Sequence, residues 1–269
     1  MCIRDSTRVA EVIATGGDHD RAEALTTQIT DPDWRAMALA QVAVAVATSG
    51  DHDRAARLAT KAETLTTQII HPDRRERALT RVAVAVATGG DHDRAEALTA
   101  QIIHPDRRAQ ALTRVAEVVA TGGDHDRAEA LTAQITDPYQ QARALTGLAE
   151  AATAAGDHER ATRLAGHAEV LTTQITNPDQ QARALTRLAT LLVATSNEIT
   201  PASEHARNSP PLMVRARHLV ATALVTGSWT EIIVSLATVD PLAVAAVVDE
   251  VLVRWGLDSA DGTRGDRVR

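Results

Sequence analysis

The chain has 269 residues, 44% of them hydrophobic but only 1% aromatic and none Phe, so its apolar content is mostly Ala, Val and Leu, which suits close helix contact rather than one thick core. A net charge of −7 speaks against a nucleic-acid partner, whose phosphates call for clustered basic residues, and no apolar run reaches the roughly 18 residues of a membrane helix. Cys2 stands alone, which excludes an intrachain disulfide and a cysteine metal site and points to the cytoplasm.

In chain order, Met1-Cys2-Ile3-Arg4-Asp5-Ser6 comes first, and residues 1–6 resemble a translated sequencing adapter, to be set aside before fold reasoning. From Thr7 to Gly17 the sequence reproduces Thr113 to Gly123 with a single change, Ile13 for Val119. The chain thus enters a repeat in mid-helix. Ser6 occupies a slot that later copies fill with Leu39, Leu79, Leu112, Leu145 and Leu185. The expectation is that an upstream portion is missing, with whatever catalytic or nucleotide-binding module it held.

The repeat itself is marked by Gly-Asp-His-Asp/Glu starting at Gly17, Gly50, Gly90, Gly123 and Gly156, at spacings of 33, 40, 33 and 33 residues. Within each unit a first helix is predicted to open at Pro32, Pro72, Pro105, Pro138 and Pro178, since proline at the first helical position loses no hydrogen bond. Asp31, Asp137 and Asn177 precede it as N-caps, with His71 and His104 as substitute caps. Leu39, Val42, Ala43 and Val46 follow one helical face, and the third slot of that face is Ala in every copy, which lets backbones approach. The marker glycines are expected to close this helix in the left-handed conformation, and Asp18, Asp51, Asp91, Asp124 and Asp157 to cap a second. The 40-residue units carry seven extra residues in that second helix, about two turns, so Leu58, Ala62, Leu65 and Ile69 keep their phase.

Ala144-Leu145, Leu148-Ala149, Ala152, Gly156-Asp157, Ala161 and Ala168 together resemble the tetratricopeptide signature over residues 7–195, with Ala and aliphatics in place of that family's Gly and aromatic positions. Ile135-Thr136-Asp137-Pro138-Tyr139 and the Gln140 to Leu145 run resemble the Ala- and Arg-rich C-terminal repeats of large actinobacterial proteins. The resemblance implies an all-α solenoid of antiparallel helix pairs whose concave surface, built of first helices, holds a protein or peptide partner. That surface is expected to present Thr80, Val84, Thr113, Glu117, Arg143, Thr146, Glu150, Arg183, Thr186 and Thr190. The Lys and Asn of the carboxylate-clamp members are absent from it.

Beyond the repeats, residues 196–211 read as a polar, proline-containing linker. Apolar periodicity returns over residues 212–256, expected to form a helical cap anchored by Trp229 and Trp255, and residues 257–269 read as a disordered tail. Arg264-Gly265-Asp266 is a chance tripeptide of that tail.

Chemistry finds no foothold in the repeats. His19, His52, His92, His125 and His158 each sit between carboxylates, but stacked turns lie roughly 10 Å apart, whereas zinc ligands must lie within about 2 Å of one ion. His71-Pro72-Asp73 and His104-Pro105-Asp106 match the tripeptide of co-chaperone J-domains, yet sister copies hold Asp or Asn in the His slot, which makes it a capping position. No nucleophile elbow, phosphate loop or dinucleotide fingerprint occurs. The sequence therefore favours a non-catalytic interaction scaffold or sensor array without cofactor, the C-terminal part of a larger signalling protein. A spacer or oligomerisation arm stands second and a metal-dependent enzyme third; the oligomeric state is open.

Overall fold

A computed structural model describes residues 3–199 and 210–226, with side chains for residues 7–196 and for part of the last helix. Among the described residues, secondary structure is helical and comes in tandem pairs. The first helices are α1 (Ile3–Thr15), α3 (Pro32–Thr48), α5 (Pro72–Thr88), α7 (Pro105–Thr121) and α9 (Pro138–Ala154). Each is followed by a second helix: α2 (His19–Thr27), α4 (His52–Thr66), α6 (His92–Ala100), α8 (His125–Ala133) and α10 (His158–Thr172). The chain divides into two compact units, Met1–Ile175 with these ten helices and Thr176–Arg269 with α11 (Pro178–Ile199) and α12 (Pro210–Thr226) packed together.

In the first unit each first helix packs on its own second helix and on the next first helix, giving α1, α3, α5, α7 and α9 in sequence. Contact stays between neighbouring pairs, which defines an α-solenoid. The seam is the predicted one: Leu39, Val42, Ala43 and Val46 are buried, as are Leu79, Val82, Ala83 and Val86, then Leu112, Val115, Ala116 and Val119. Burying one Leu or Val contributes about 1.5–3 kcal/mol, so the repeated seam is the main source of cohesion. Ala43, Ala83, Ala116 and Ala149 have essentially no exposed surface, consistent with backbones in close approach.

The turns follow from residue chemistry. Gly17, Gly50, Gly90, Gly123 and Gly156 have φ of +88°, +95°, +92°, +94° and +80°, where a side chain would be strained. At Gly50 the amide bonds Ala47 O and the next amide, of Asp51, bonds Val46 O, the paired closure of a Schellman motif. Asp51 then accepts from Arg54 N at 3.0 Å, so one residue ends α3 and caps α4. The same cap recurs at Asp18, Asp91, Asp124 and Asp157. Both long second helices, α4 and α10, have 15 residues against 9 in the others, and Leu58, Ala62, Leu164 and Ala168 remain buried.

Three expectations are corrected. His71 and His104 make no side-chain cap bond, whereas Asp31, Asp137 and Asn177 do. In the α7 copy, Glu76 of α5 holds the backbone just before the helix: its Oε1 accepts from Ile103 N and His104 N, both at 3.1 Å. Helix α11 continues four residues past the expected repeat end at 195, and Thr195 and Ser196 are buried; the Thr195 hydroxyl is satisfied by Leu191 O, so a polar residue need not end the helix. The expected linker is therefore helical at its start, and α12 begins at Pro210, inside it; residues 200–209 lie outside the described residues. Of the expected cap only the part within α12 is described; Trp229, Trp255 and the tail lie outside the described residues.

Candidate functional site

The two sides of the first unit differ in how their charges are used. Along the second helices, arginines reach back one repeat to carboxylates of the preceding second helix. Arg54 meets Asp20 at 2.7 Å and Glu23 at 3.1 Å, Arg94 pairs with Glu63, Arg127 with Asp93 and Glu96, and Arg160 with Asp126 and Glu129. The long helices add Lys61 to Glu23 and Arg163 to Glu129. The hydrogen bond from Lys61 holds the Glu23 carboxyl below its ordinary value against the opposing effect of burial, with Arg54 assisting. Arg163 does the same for Glu129. Arg54, Arg94, Arg127 and Arg160 are thus each spent on carboxylates of the preceding repeat, while Arg21 and Arg57 of the same side are exposed and form no ion pair among the described residues.

The first-helix side is different. Of the residues expected there, Val84 and Glu117 line one hollow and Thr80 an adjoining one. Thr80 and Thr146 are buried, and their hydroxyls bond Glu76 O and Ala142 O in their own helices, which leaves little of either for a partner. Thr113 is half-buried and bonds Ala109 O. Arg143 and Glu150 are exposed on α9, while Arg183, Thr186 and Thr190 belong to α11 of the second unit, where Arg183 and Thr190 are exposed and Thr186 half-buried. The threonines expected as contacts thus prove to be largely helix-satisfied.

Three hollows lie along α3 and α5, two of them reaching α7, and Arg81 lines all of them. The first, about 360 Å³, has an aliphatic bed of Ala40, Val44, Val84 and Val118. The second, about 480 Å³, shares Arg81 and Arg114 with it and adds Arg77, Arg107 and one acid, Asp106. Arg107 is committed to Asp73 and Glu76. Among the described residues, none forms an ion pair or side-chain hydrogen bond with Arg77, Arg81 or Arg114. Burial lowers the Arg81 guanidinium pKa and nearby Arg114 adds to that, while Glu11, held by Gln41 at 2.9 Å, works the other way. Arg77, Arg81 and Arg114 were missed in sequence. A signal was present, since Arg81 and Arg114 fill the same slot of adjacent copies and Arg77 precedes Arg81 by one turn.

The turn histidines do not converge. His19 Nε2 lies 3.1 Å from Ser49 Oγ, and among the described residues no three His, Cys, Asp or Glu side chains are grouped as metal ligands. Among the described residues no helix is long and apolar enough to cross a membrane.

No protein-family model and no curated protein matches the chain. Among solved structures it is similar to a circular tandem repeat protein with novel repeat topology and enhanced subunit contact surfaces, at 17% identity and a TM-score of 0.29, over 94% of this chain and 55% of that one. The chain thus spans about half the length of that neighbour. So distant a likeness carries no weight beside the helices themselves, which make the protein an all-α tandem repeat array.

Proposed function

We propose that the chain is a tetratricopeptide-like interaction scaffold that holds a segment of another protein on its first-helix face, as the C-terminal part of a larger cytoplasmic signalling protein. The observation that carries this reading is the contrast between the two sides of the array. The second-helix side is closed on itself by ion pairs from repeat to repeat. The first-helix side keeps adjoining hollows, an aliphatic bed and three uncommitted guanidinium groups. Desolvated, well-packed contacts of this mixed kind are what a peptide groove offers, and repeat arrays present them over a long surface.

Photo-cross-linking in the native host tests the reading. A photoreactive residue at Val84 is expected to capture a defined partner, and one at Thr60, on the second-helix side, to capture none. Charge reversal at Glu117, Arg143 and Glu150 is expected to change the yield of that capture. Labelling from Thr60 alone, or capture indifferent to these reversals, would overturn it.

A further inference from the structure

The geometry points to an acidic, aliphatic-bearing peptide segment as the occupant of the first-helix face, its side-chain carboxylates received by Arg77, Arg81 and Arg114 and its aliphatic side chain by the adjoining bed of Val44, Val84 and Val118. This inference rests on the reading above and names the chemistry of the partner. Three observations lead to it.

The first is the local inversion of charge. The whole chain is acidic at −7, yet the larger hollow is lined by four arginines and one carboxylate, Asp106, which is exposed. Only Arg107 of the four is paired. Along the second helices Arg54, Arg94, Arg127 and Arg160 each meet a carboxylate one repeat back, whereas in this hollow three of the four guanidinium groups form no ion pair among the described residues. Of the acids that remain near, Glu11 accepts from Gln41 and acts on Arg81 through space without an ion pair, and Glu117 is exposed at the rim of the smaller hollow.

The second is the arrangement of the two hollows. They share Arg81 and Arg114, so a cationic chamber lies directly against an aliphatic one. A simple anion would use only the first. A peptide that alternates carboxylate and aliphatic side chains uses both, with planar guanidinium groups offering forked hydrogen bonds to each carboxylate. The third is that the same two copies expose aliphatic residues at their edge: Ile70 and Ile103, 92% and 89% exposed, replace the Thr30, Thr136 and Thr176 of the sister copies, and Ile103 adjoins His104 on the wall of the cationic chamber.

Calorimetry with the full chain and a short, acetylated and amidated peptide of repeating Glu-Leu-Ala tests the inference. Blocked ends ensure that only side-chain carboxylates are available. The expected result is saturable binding that weakens with added salt, falls roughly tenfold for each guanidinium removed in R77A and R114A, and is unchanged in R57A, an exposed arginine of the second helix α4 outside the hollows. Far-UV circular dichroism is expected to match across the variants, since Arg and Ala are both good helix formers. Should a Gln-Leu-Ala peptide bind equally well and V84E abolish it, the face binds peptides without regard to charge; this inference then fails while the scaffold reading stands. Absence of peptide binding fails the inference, and persistent cross-linking from Val84 shows whether the scaffold reading survives it. Displacement by millimolar inorganic phosphate would make the occupant a free anion, and self-association lost in R77A/R114A would make it a second copy; either overturns the peptide.

Discussion

Glu76 shows how one residue can carry a local exception. Its four sister positions are the buried alanines Ala36, Ala109, Ala142 and Ala182, so of these five slots this one places a carboxylate in the seam. It is 7% exposed and bonds the two amides that lead into α7. Replacing it with Ala leaves those donors without their acceptor, and urea denaturation of E76A is expected to show a loss of roughly 1–3 kcal/mol, with E76Q, which retains the acceptor oxygen, losing less. His71 is the opposite case, an N-cap position with no side-chain bond to the helix. His71→Asp restores the acceptor of Asp31 and is expected to stabilise by about 1 kcal/mol. The same change at His104 is expected to gain less, because the new carboxylate would stand beside that of Glu76, which is held at the His104 amide, and the two negative charges repel.

Among elements, the second helices are joined by ion pairs, and their pH dependence follows from sign. Glu23 and Glu129 ionise below the ordinary value of about 4.5 in the folded chain, so at acid pH the folded form binds fewer protons than the unfolded one. The stabilisation is complete above that ordinary value and is lost as pH falls through the lowered one. Melting temperature is accordingly expected to be level from pH 7 to about pH 5 and to drop below about pH 4.5, with E23Q and E129Q flattening part of the drop. Each pair is partly exposed and contributes no more than about 1 kcal/mol, so the fall is a sum over rungs and shrinks in high salt.

For the molecule as a whole, cohesion between nearest neighbours sets the expectation. A pair buried between two others unfolds only with the loss of two interfaces, so amide exchange in α5 and α7 is expected to be slower than in α2, in a gradient that a single cooperative globule would not show. Uniform protection from α1 to α10 would contradict it. The division between Ile175 and Thr176 falls inside what the sequence presents as one continuous repeat array, because the motif spelling does not change there.

By itself the sequence determined the helix pairs, their turns and their seam, for these depend on neighbours within a few residues: glycine at positive φ, aspartate as cap, Leu and Ala at helical spacing. It also indicated the first-helix face, where Val84 and Glu117 do line a hollow. The tertiary structure decided which side chains on that face remain available. Thr80 and Thr146 turn inward and bond their own backbone, whereas among the described residues no carboxylate forms an ion pair with Arg77, Arg81 or Arg114, and neither outcome is visible in a residue's identity. Whether a charge is spent depends on what the next repeat places within about 4 Å of it, a distance set by packing across some thirty residues of chain rather than by local spelling.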